Sequence, residues 1–135
     1  MYLLDTNICI YIINNHPKKI TQKLYKLNPD DIKISSITVS EMEYGASKSA
    51  RREQNRVALY NFLSPFEIIN FDSRDAEIYG IIRAELEFQG LPIGPYDMQL
   101  ASQALARDLV FVTNNTAEFE RVKKLKLENW GCPLP

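Results

Sequence analysis

Histidine and cysteine are almost missing from this sequence. His16 stands alone among 135 residues, and the only two cysteines, Cys9 and Cys132, are far apart and form no CxxC pair. That argues against a zinc site of thiolates and imidazoles and against a disulfide framework, and it suits a reducing, cytoplasmic setting. A surplus of either charge is also lacking. With a formal net charge of −1 the chain is neither a basic nucleic-acid coat nor an acidic solvating protein, so any contact with nucleic acid must come from a local patch. No apolar run approaches the roughly 18 to 20 residues that cross a bilayer, and no basic segment leads into such a run at the start, so a soluble protein without a membrane partner is expected. Repeats, low-complexity tracts and an obvious linker are absent too. What remains is a length suited to one domain, 1–135, with 45% hydrophobic residues to build its core.

Apolar runs and helical spacings alternate along the chain. Met1 to Leu4 read as a strand ending at Asp5, and NICIYIINN as a helix broken at NHP. A second helix is expected over Lys18 to Leu27, then a strand at IKISS. The pattern Thr38-x-x-Glu41 signals a helix start, and helical sequence continues through RREQNRVALYNFL to Ser64-Pro65. FEIINF is the third strand, and Ser73 to Gln89 a helix with Gly90 at its end and Pro92 just beyond. Pro95 opens PYDMQLASQALARD, which leads into the strand LVFVT. AEFERVKKL forms a last short helix before a final segment around Leu127. Short apolar strands without period-two alternation, each separated by helices, predict an α/β fold: a short, mostly parallel central sheet flanked by helices on both faces. Ligands of such sheets collect beyond the carboxyl ends of the strands, which singles out Asp5 and the group Thr113-Asn114-Asn115.

Four acids occupy that kind of position. Asp5 ends the first strand, Glu41 and Asp97 fall in the first turns of helices, and Glu118 follows the last long strand. Acids in a first turn also interact favourably with the helix dipole, by about 0.3 to 1 kcal/mol, so capping alone is an alternative for Glu41 and Asp97. Asp97, however, shares a helical face with Ala101 and Ala104, an inward stripe, and Glu41 shares one with Thr38 and Gly45, which leave it unobstructed. Glu43 points about 200° away from Glu41 and belongs to the surface or to a partner contact. Carboxylates held together stay ionised chiefly when a cation sits among them. Without histidine or cysteine ligands that cation is hard, Mg²⁺ or Mn²⁺, and its natural chemistry is phosphodiester hydrolysis by an activated water.

The blocks LLDTNICIYII, SSITVSEMEYGASKS, IRAELEFQGLPIGPYDMQLASQAL and VFVTNNTAEFERV together resemble the PIN-domain ribonucleases, and in order and spacing the VapC toxins of type II VapBC toxin–antitoxin pairs. The resemblance runs over nearly the whole chain and implies a PIN-like domain. It further implies a Mg²⁺- or Mn²⁺-dependent endoribonuclease in which Asp5, Glu41 and Asp97 bind the metal and activate the attacking water. Many PIN domains carry a fourth acid in a Thr-x-Asp pattern. Here Asn115 stands at that aspartate position, and Glu118 is similar to the acid of the nearest VapC branch. Thr113 and Asn7 become supporting residues, the first near the reacting water and the second bracing the rim; capping roles are the alternative for both. The resemblance also implies cleavage of structured RNA, in this branch transfer RNA near the anticodon, to stop translation. A VapB-like antitoxin should insert an apolar segment into a groove near Ile8, Tyr11, Ile12 and the second helix, and a homodimer is expected.

Basic residues gather at Lys18, Lys19, Lys23 and Lys26, at Lys48, Arg51, Arg52 and Arg56, and at Arg121, Lys123, Lys124 and Lys126. Any of these can be plain solvated surface. The middle group, closest in sequence to Glu41, is the expected RNA contact, through Lys48, Arg51 and Arg52. A haloacid-dehalogenase phosphatase would also place an Asp after its first strand, but it needs a second acid where this chain has Asn7. A non-catalytic PIN-like module is favoured only by Asn115.

Overall fold

The protein is described by a computed structural model covering residues 1–131, which leaves Cys132 outside the described residues. Five short strands form one sheet: β1 (Tyr2–Leu4), β2 (Ile32–Ser35), β3 (Glu67–Ile69), β4 (Val110–Val112) and β5 (Leu127–Glu128). All pairs are parallel, and the spatial order is β3-β2-β1-β4-β5, so β1 lies at the centre with Leu3 beside Lys33 on one side and Phe111 on the other. Seven helices among the described residues connect the strands: α1 (Thr6–Ile13), α2 (Lys18–Tyr25), α3 (Ser36–Ser47), α4 (Arg52–Leu63), α5 (Ser73–Phe88), α6 (Pro95–Ala106) and α7 (Thr116–Phe119). No helix among the described residues is long and apolar enough to cross a membrane.

The continuous apolar strands follow from burial on both faces. Leu3 and Leu4 are adjacent in sequence, so they point to opposite sides of the sheet, and both are fully buried. Leu3 packs with Phe111, Leu100, Ala101, Ala104, Ile82 and Leu86 beneath α5 and α6. Leu4 packs with Val112, Ile34, Ile8, Ile20 and Met42 beneath α1 to α3. Cys9 is core filler on this second side, and Trp130 closes it, its ring meeting Tyr2 edge-on at 5.6 Å.

Local signals set the helix ends. Asp72 caps α5 in a reciprocal box with Asp75, at 3.1 and 2.9 Å. The helix stops at Gly90, whose φ of +68° suits glycine, with Leu91 N–H donating to Leu86 O at 2.9 Å and Gly90 N–H to Glu87 O at 3.1 Å. Gly94 and Pro95 then open α6.

Three sequence expectations change. The helix after β2 begins at Ser36, capped by the Ser35 hydroxyl, which accepts from Ile37 N–H at 3.0 Å. Glu41 is therefore the sixth residue of α3, in its second turn, and the Thr38-x-x-Glu41 pair is interior to the helix. The final helix covers only Thr116–Phe119. The segment around Leu127 becomes an edge strand: Phe111 N–H donates to Lys126 O at 2.8 Å and Thr113 N–H to Glu128 O at 3.0 Å.

Candidate active site

β1 and β4 run side by side and deliver Asp5 and Thr113 to the same rim. Asp5 N–H still reaches Val112 O at 2.9 Å, extending the ladder one residue past the strand, so its position is held by backbone before its side chain makes any contact. The residue is 5% exposed. One carboxylate oxygen accepts from Thr6 N–H at 2.7 Å and the other from the Thr113 hydroxyl at 2.8 Å. Thr113 in turn accepts from Asn115 N–H at 3.1 Å, which aims the hydroxyl proton at Asp5.

Thr6 connects Asp5 to the third helix. Its hydroxyl donates to Glu41 Oε1 at 3.0 Å and lies 3.0 Å from the buried Thr38 hydroxyl. Glu41 is thus held from α1, across 35 positions of sequence. This is the residue that sequence reasoning missed: Asn7 was expected to brace the rim, but Asn7 is exposed, and the bracing comes from its neighbour. Asp97, the third residue of α6, is half-buried over the inward stripe of Ala101 and Ala104. Glu118 in α7 accepts a short hydrogen bond from the Asn115 side-chain amide, so the residue standing in for an acid instead orients one.

The four acids act on one another. Burial raises the Asp5 carboxyl above its ordinary range, opposed by the Thr113 and Thr6 hydrogen bonds, and the charges of Glu41 and Glu118 add to the rise. Asp97 is pushed up to about 6, first by burial and then by the charges of Asp5, Glu118 and Glu41. The Cys9 thiol is raised as well, by burial and by the Asp5 charge. None of the four acids forms an ion pair among the described residues; the ion pairs there involve other carboxylates. A cluster that repels itself and holds no basic side chain fits a divalent cation. Among the described residues, no three acidic, histidine or cysteine side chains stand close enough together to cage an ion by themselves.

One further acid is buried, Asp75, at 1% exposure, and it has a structural partner: Arg107 reaches it at 3.2 Å and Gln103 at 3.4 Å. It belongs to the α5–α6 junction. Of the basic residues, Lys48 closes α3 with its ammonium 4.7 Å above the Tyr44 ring. Arg51 and Arg52 open α4 and line a broad surface depression with Arg56. Lys48 is seven residues beyond Glu41, roughly 10 Å along the helix axis. Glu43, turned away from the rim as expected, pairs with Arg56 at 3.5 Å.

Of the residues expected to line an apolar groove, two are withdrawn from the surface. Ile8 and Ile12 are buried in the core, while Ile10 and Ile13 line a groove of about 260 Å3 with Met42, Ala46 and Leu59, and Glu41 forms part of its wall.

Comparison with known proteins identifies relatives over nearly the whole chain. Residues 2–125 match the PIN domain model. The chain is 48% identical to ribonuclease VapC2 of Rickettsia felis over 131 residues, covering 96% of this chain and 98% of that protein. It is 44% identical, with the same coverage of each, to the tRNA(fMet)-specific endonuclease VapC of Shigella flexneri. Among solved structures, VapBC2 from Rickettsia felis bound to a DNA fragment from their promoter contains a chain that superposes with a TM-score of 0.90 at 47% identity, covering 96% of this chain and 98% of that one. With a parallel α/β sheet, four acids at its carboxyl rim and such relatives over nearly its full length, the chain belongs to the PIN-domain family, among its VapC ribonucleases.

Proposed function

We propose that this chain is the toxin of a VapBC-type toxin–antitoxin pair, an endoribonuclease that cuts structured RNA, transfer RNA in the first place, and so stops translation. The observation that carries this reading is the self-repelling set of Asp5, Glu41, Asp97 and Glu118, with Asp97 pushed up to about 6. The relative from Shigella flexneri that bears the name tRNA(fMet)-specific endonuclease supports transfer RNA as the substrate class.

PIN-domain nucleases depend on a divalent metal, and here Asp5, Glu41 and Asp97 would hold Mg²⁺ or Mn²⁺. When bound, that ion supplies a nucleophilic water at neutral pH and stabilises charge developing on the phosphate. The chain's own residues do the rest. Thr113 and Thr6 N–H keep both Asp5 oxygens fixed in direction. Thr6 orients Glu41, and Asn115 orients Glu118, which lies beside the cluster and is the candidate for taking the proton from the attacking water. Lys48, Arg51 and Arg52 would bind RNA phosphates further along α3 and at the start of α4. The groove of Ile10, Ile13, Met42, Ala46 and Leu59 would receive an apolar segment of a VapB-like antitoxin beside Glu41. A homodimer acting in the cytoplasm completes the proposal.

The test is incubation of purified protein with total RNA and with transfer RNA, in Mg²⁺, in Mn²⁺ and in chelator, beside Asp97→Asn. Metal-dependent cleavage that disappears in the variant is the expected result. Cleavage unchanged in the variant would overturn the site, and RNA binding without cleavage would point to a non-catalytic module.

A further inference from the structure

Next to the acidic cluster lies a cleft of different chemistry. It has a volume of about 460 Å3 and is walled by Ile37, Ser40, Glu41, Tyr44 and Tyr96. That lies within the roughly 300 to 1,000 Å3 typical of small-ligand sites. Glu41 is both a member of the acidic cluster and part of this cleft's wall, and Tyr96 immediately precedes Asp97 in α6. Both tyrosines are largely uncovered, Tyr44 at 66% and Tyr96 at 61% exposure, although a large aromatic ring left in water forfeits the burial that normally places it inside. Lys48, which is not part of the cleft wall, holds its ammonium 4.7 Å from the centre of the Tyr44 ring. A cation on one side of a ring leaves the other side available for stacking.

Phosphates, the acidic cluster's substrate groups, do not stack on rings; bases do. Single-stranded RNA is recognised by splaying out unpaired bases onto aromatic side chains while cations hold the neighbouring phosphates. We propose that the Tyr44–Tyr96 cleft seats one unpaired nucleobase beside the phosphodiester that is cut, with Lys48 on the adjoining phosphate. The proposal rests on the nuclease reading above and deepens it by assigning the residues that hold the base next to the cut.

The test compares Tyr96→Phe, Tyr96→Leu, Tyr96→Ala and the same three changes at Tyr44. For each, kcat and KM are measured on transfer RNA with Mn²⁺. Binding is measured in chelator on a mixed-sequence single-stranded oligoribonucleotide carrying one 2-aminopurine, through quenching of its fluorescence. The expected result is that the Phe variants behave as wild type, whereas Leu and Ala raise KM roughly tenfold or more and lose the quenching, with kcat changed much less. The Phe-to-Leu comparison stands even if an Ala variant fails to fold. Leu performing as well as Phe overturns the base seat. So does unchanged quenching accompanied by a smaller sedimenting species, which would make the rings a contact with a second copy of the chain. Wild type that cuts no RNA overturns the nuclease reading itself, an outcome distinct from both.

Discussion

Asp97 carries the clearest cost of function. Its carboxyl sits at about 6 instead of the ordinary 3.8, so between those values the folded protein retains a proton that the unfolded chain has released. Its contribution to stability is therefore present below about pH 4 and lost as pH rises through 6. Asp97→Asn removes that loss. In chelator, the variant's melting temperature should exceed that of wild type by a margin that grows from pH 4 to pH 7, and Mg²⁺ should narrow the margin by stabilising only wild type. Metal binding has the opposite slope: Mn²⁺ affinity should climb as pH passes 6, because the cation must displace the Asp97 proton. A flat profile across that range would contradict the assignment. Thr6 offers a second check. Thr6→Val removes the bond to Glu41 and should lower kcat/KM roughly tenfold, whereas Thr6→Ser should restore most of it, with kinetics at saturating metal as the readout.

Asp5, Asp97 and Thr113 were legible because each lies beside a local signal: the end of an apolar run or a proline that opens a helix. Thr6 was not, since its meaning depends on Glu41, 35 positions away. Nothing in the letters DTN says which of the two polar residues turns inward.

At the level of elements, the same limit appears as a rotation. In ICIYII nearly every position is apolar, so the sequence could not say that Ile8 and Ile12 enter the core while Ile10 and Ile13 face a groove. Two serines in a row left the start of α3 open by two residues, enough to move Glu41 from the first turn to the second. β5 is two residues long and carries no periodicity at all; only its pairing with β4 defines it. The α5–α6 junction yields a prediction at this scale. Arg107 neutralises Asp75, which is 99% withdrawn from solvent and also caps α5. Arg107→Ala should cost about 3 kcal/mol in urea unfolding, because it leaves a buried charge partly unmatched. RNA cleavage below the transition should be retained, since neither residue reaches the acidic rim.

Across the whole molecule, the sheet order puts the first strand in the middle. β1 is flanked by β2 and by β4, whose partner residues are more than 100 positions away. Folding must close that long loop before the centre of the sheet exists, which predicts slow, cooperative folding compared with a helical bundle. Hydrogen exchange should be slowest at Leu3 and Leu4, paired or buried on all sides. A chain ending at residue 109 should lack a cooperative unfolding transition, because β1 loses one neighbour and both core clusters lose a wall.

The bond between Asp5 and Thr113 spans 108 residues. During synthesis, the Asp5 carboxylate is made 108 residues before the hydroxyl that orients it. A growing chain that has not yet reached Thr113 holds Asp5 by one of its two side-chain hydrogen bonds, so the acidic rim takes its final geometry only once β4 is in place.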